Sequence, residues 1–141
     1  MAEHKLSKSR LEIRTALSPD VVLDIAAFVA GETRVEGWKH NKKVTILLTD
    51  RSEAASSFRI GQKRPLLMFD VTTSTTEGAT TVVTSIEDFA TIQSTIGGFI
   101  PAGPKTMEGY PWYHQFLTNL EAGVRAKDPQ AKTAIIERDL G

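Results

Sequence analysis

The sequence predicts an α+β domain in which a long C-terminal helix packs on an antiparallel sheet. Three observations lead there. The chain opens with an alternating strand and a short capped helix. Its middle is rich in Val, Ile and Thr and carries a hairpin signal at Glu77-Gly78. One amphipathic helix closes it. Helices kept apart from a run of strands argue against a doubly wound parallel sheet.

The opening strand places Leu11, Ile13 and Thr15 on one side and Arg10, Glu12 and Arg14 on the other, the pattern of a half-buried strand. Ser18-Pro19-Asp20 then starts a helix. Ser18 suits the N-cap, Pro19 the first helical position, and Asp20 the positive end of the dipole. Val21, Val22, Ile25, Phe28 and Val29 follow at helical spacing, and Gly31 is the expected stop.

Strands are expected next over Arg34 to Trp38, Val44 to Thr49 and Ser56 to Ile60. Leu66 to Thr75 and Ala79 to Ile86 read as a hairpin joined by Glu77-Gly78, the second arm running on through Phe89 and Ile92 to Thr95. Gly97, Gly98, Pro101, Gly103 and Pro104 form a breaker cluster with the features of a hinge or lid loop. Tyr113, Phe116, Leu117, Leu120 and Val124 then mark a helix from Gly109 to Lys127, with Pro111 in its first turn. Trp112 lies off that stripe and is expected in a loop contact or exposed. Asp128-Pro129 ends the helix. Residues 1–8 and 130–141 read as flexible tails of a single domain over 1–141.

Composition narrows the function. The chain of 141 residues has no Cys, which removes disulfides, thiolate nucleophiles and Cys-ligated zinc. It points to the cytoplasm, since nothing depends on an oxidising compartment. Lys plus Arg and Asp plus Glu both number 17, so a nucleic-acid partner is not expected. The longest apolar stretch, Thr91 to Ala102, is too short and too broken to span a membrane. His4, His40 and His114 have no metal-pair spacing. The carboxylates Asp50, Glu53, Glu87 and Asp88 suit sheet edges better than acid–base work. The Ser/Thr-rich strands read as the wet face of a sheet, with no nucleophile elbow. Tyr110, Trp112, Tyr113 and Phe116 crowd the start of the last helix, as core or as the mouth of a pocket.

Three stretches carry a family likeness: Leu11 to Phe28, Gly78 to Thr84, and Gly109 to Arg125. Together they resemble the helix-grip fold of the START-like superfamily, also called SRPBCC or Bet v 1-like, with its polyketide cyclase/dehydrase-type and lipid-transport members. The likeness implies a curved antiparallel sheet wrapped around the long C-terminal helix. It implies a cavity between them for a small hydrophobic or amphipathic ligand, lipid- or polyketide-like, without cofactor or metal. In that frame Phe28, Trp38, Phe69, Phe89, Tyr113, Phe116 and Leu120 are the expected lining. Two other readings stand beside it. One is a cyclase/dehydratase-type enzyme using Asp88 or His114 inside the cavity. The other is a protein-interaction module with a filled core. A homodimer is left open.

Overall fold

The computed structural model describes residues 8–36, 45–52, 54–61, 65–89, 91–92, 95–96, 100–101, 106–107 and 109–137. The expected positions His4, Trp38, His40, Glu53, Gly97, Gly98, Gly103 and Pro104 lie outside these residues.

Strand β1 (Arg10–Thr15) buries Leu11, Ile13 and Thr15, as its alternation requires. Helix α1 (Pro19–Glu32) starts where Ser18 accepts a hydrogen bond from Val21 N, at 3.4 Å. It runs one residue beyond Gly31. Thr33 ends it, with its hydroxyl turned back to Val29 O at 2.6 Å. Residues Arg34 to Glu36 are not a strand, contrary to expectation.

The sheet continues with β2 (Ile46–Arg51), β3 (Ala55–Gly61), β4 (Pro65–Thr76) and β5 (Ala79–Phe89). Glu77 and Gly78, at φ 54° and 78°, form the two-residue turn between β4 and β5. Two left-handed residues in succession match the twist of the flanking strands. β5 runs on to Phe89, opposite Leu67, as expected, and beyond it the expected continuation leaves the main sheet. Four short pieces, β6 (Thr91–Ile92), β7 (Thr95–Ile96), β8 (Ile100–Pro101) and β9 (Thr106–Met107), pair β6 with β9 and β7 with β8.

Helix α2 (Tyr110–Lys127) follows, and β10 (Lys132–Ile136) is the last described element. The order β10-β1-β5-β4-β3-β2 is antiparallel at every pairing. Residues 132–136 are therefore an edge strand and not part of a flexible tail. Main-chain pairing with β1 holds them, from Arg10 opposite Ile136 to Arg14 opposite Lys132. The turn into β10 is pinned by Asp128, whose carboxylate accepts from the Thr15 hydroxyl at 2.6 Å and from Ala16 N at 3.0 Å. The Thr15 bond first, then the Ala16 bond, holds its carboxyl below the usual range.

Both helices cover one face of the sheet. Leu11 and Ile13 of β1, Val82 and Thr84 of β5, Leu67, Phe69 and Val71 of β4, and Phe58 and Ile60 of β3 are buried there. The opposite face carries Arg10, Glu12, Arg59, Asp70 and Thr72, including an Arg10–Glu12 ion pair at 2.8 Å. Two glycines set how closely the layers approach. A Cβ on Gly109, at the start of α2, would sit 2.8 Å from Leu67 Cβ. A Cβ on Gly123 would sit 2.7 Å from Ile25 Cγ2, where the helices cross. Only hydrogen fits at either place.

Candidate functional site

The first two turns of α2 meet the middle of the sheet through aromatic side chains. Phe69 of β4 is the hub. Its ring centroid lies 5.0 Å from Phe116, 5.1 Å from Phe58, 5.2 Å from Tyr113 and 5.9 Å from Trp112. Trp112 stacks on Phe116 at 5.4 Å, with 9° between their planes. Trp112 is fully buried, which corrects the expectation of a loop-packed or exposed ring. It precedes Phe116 by one helical turn, so the two share a face.

Beside the rings lies a buried hydrogen-bond relay. Tyr113 Oη donates to Ser9 O at 3.0 Å. Its single proton is thereby used, so the Thr84 hydroxyl, 2.7 Å away, donates to it. Thr84 Oγ1 in turn accepts from Leu11 N at 2.9 Å. Tyr110 Oη reaches Ser9 Oγ at 3.0 Å. Burial pushes the Tyr113 phenol far up and raises that of Tyr110, so both are neutral hydrogen-bonding groups. The relay ties the starts of β1 and α2 to the middle of β5. Tyr113→Phe leaves Thr84 and Ser9 O without their partner. It is expected to cost about 1–3 kcal/mol in a urea melt. A loss no greater than that of a surface substitution would mean the relay is idle.

Of the expected lining, Phe69, Tyr113, Phe116 and Leu120 come together, fully buried. Phe89 is half-buried against the same core. Phe28 does not belong to it: it is 70% exposed. It sits about 200° around the helix from Ala26, the middle of α1's buried arc, at 100° per residue. The apolar spacing that included Phe28 was wider than the face α1 can bury.

The catalytic candidates have surface partners. Asp88 is exposed and accepts from Phe89 N at 2.9 Å. His114 Nε2 pairs with Glu137 at 3.0 Å. Among the described residues no group of three or more His, Asp or Glu could hold a metal ion. No helix among them is long and apolar enough to cross a membrane.

Two features had weak signals or none in the sequence. The Thr84 relay could be suspected, because Thr80, Val82 and Thr84 share the inward side of a strand and a buried hydroxyl needs a partner. The exposed pair Leu47 and Leu48, 56% and 41% exposed, had no such signal. No family model, no curated protein and no solved structure matches this chain.

Proposed function

We propose that this protein is an interaction module that recognises another polypeptide by adding its extended segment to β2, beside α1. One contrast carries the reading. Of the expected lining, Phe69, Tyr113 and Phe116 pack ring on ring, while Phe28, and with it Leu47 and Leu48, stand exposed. Phe28 and Leu48 lie on the side where α1 meets β2, and Leu47 lies on the other face of the same strand. The Arg51–Asp24 ion pair, at 2.6 Å, ties α1 to β2, and Phe28 follows Asp24 by one turn on the same side. Among the described residues β2 is an edge of the sheet, and such an edge offers main-chain donors and acceptors to an incoming strand.

A second reading has its own observation. Trp112 Nε1 and Ser56 Oγ are buried without a hydrogen-bond partner among the described residues. Unpaired buried polar atoms are uncommon, and a ligand oxygen would satisfy them. In this reading the sheet grips α2 in the START-like manner. An amphipathic molecule then enters by parting the aromatic cluster.

One set of amide spectra separates the two. Peptides selected from a displayed random library are expected to shift the amides of β2 and of the Phe28 turn. Decanoate is expected to leave the Trp112 indole signal unmoved. A saturable shift of that indole signal by decanoate, with no peptide effect at β2, would replace the first reading by the second.

A further inference from the structure

We propose that the strand completing the sheet belongs to a second copy of this chain, with β2 paired antiparallel to β2 across a two-fold axis at Leu47. The inference rests on the edge-docking reading and names its partner. Gly61 N donates to Thr45 O at 3.1 Å, so this pair is hydrogen-bonded. Hydrogen-bonded pairs alternate along an antiparallel ladder, so Leu47 opposite Arg59 is the next one. Ile46 and Leu48 therefore turn their N–H and C=O groups away from β3, toward the side on which no described strand lies.

A two-fold pairing that uses those groups sets Ile46 against Leu48 of the second copy. It sets Leu47 against the same leucine of that copy in a close, non-hydrogen-bonded pair. Thr45 then faces Thr49. From Thr45 to Thr49 the strand is Thr-Ile-Leu-Leu-Thr, so every residue meets one of similar chemistry and no charge opposes a charge. The chain's net charge of zero adds no repulsion between copies. This pairing covers Leu47, which α1 cannot reach from the other face, and brings Leu48 against apolar neighbours.

An interface built on one strand pair lies at the small end of specific interfaces, below about 1,200 Å², so the dimer is a dissociable one.

The absence of Cys makes the test direct. In the proposed register the Leu47 Cα atoms lie about 4.5 Å apart, within disulfide reach. The two Thr49 positions are about 13 Å apart along the strands, which is too far. Leu47→Cys under mild oxidation is expected to give a covalent dimer, and Thr49→Cys is not. Leu47→Lys is expected to raise the dimer dissociation constant by about tenfold or more in sedimentation, with an unchanged circular dichroism spectrum. Equal cross-linking of both cysteine variants, or none of either, would overturn the pairing. If self-pairing fails while selected peptides still shift β2, the edge-docking reading survives with a different partner. If both fail, the edge is not a docking site.

Discussion

Phe69→Ala is expected to lower the unfolding free energy by about 3–5 kcal/mol, the range for deleting a buried phenylalanine ring. The position explains the size. Phe69 sits at the centre of β4, and its ring touches Phe58 on the neighbouring strand and Trp112, Tyr113 and Phe116 on α2. Removing it deletes four ring contacts and leaves a void between layers that fixed strands and a glycine-spaced helix cannot close. Phe28→Ala is the control: the same chemical change at a 70% exposed ring should cost within about 0.5 kcal/mol. Equal losses in a denaturant melt would mean the aromatic cluster is loosely packed, and a ligand-filled interior would then gain ground.

The second large effect is expected at Leu120. It lies one turn beyond Phe116 on α2, and no part of it is exposed. Phe116, Leu120 and Val124 form the inward row of the helix, with Gly123 beside them bringing α1 into contact. Leu120→Ala is expected to cost about 2–5 kcal/mol. Glu121→Ala, on the half-exposed flank, should cost within about 0.5 kcal/mol. Melting curves that fail to separate the two variants would mean that α2 is peripheral to the core.

Residues whose local pattern coincides with their tertiary environment were legible. Leu11, Ile13 and Thr15 alternate because one face of β1 is buried. Pro19 and Ser18 fix the start of α1 by backbone chemistry alone. Glu77-Gly78 encodes its turn, and the row from Tyr113 to Val124 encodes α2. The misses share a cause, since each depended on what a neighbour covers. Lys132 to Ile136 looks like a tail because an edge strand, paired with a single strand, needs little apolar content. Phe28 looked inward because its spacing to Ile25 and Val29 suits a helix, but the buried arc is centred elsewhere. Trp112 seemed peripheral when the row was drawn from Tyr113, yet it shares a face with Phe116. For the candidate site, the sequence supplied the aromatic residues but not their mutual packing, and it held no sign that Leu47 and Leu48 would be left uncovered.

The pairing of β1 with β10 also bears on the order of assembly. Arg10 meets Ile136 across 126 residues of chain (136 minus 10), and Ile13 meets Val82 across 69 (82 minus 13), whereas β4 and β5 meet across a two-residue turn. Loop closure costs more entropy the longer the loop, so the β4–β5 hairpin can form early and β1 must arrive late. Until it does, β5 has a bare edge of its own, flanked by Thr80, Val82 and Thr84. The nascent sheet therefore passes through a stage in which β5 is itself an edge, and the late arrival of β1, then β10, moves that edge outward to the short strand β10.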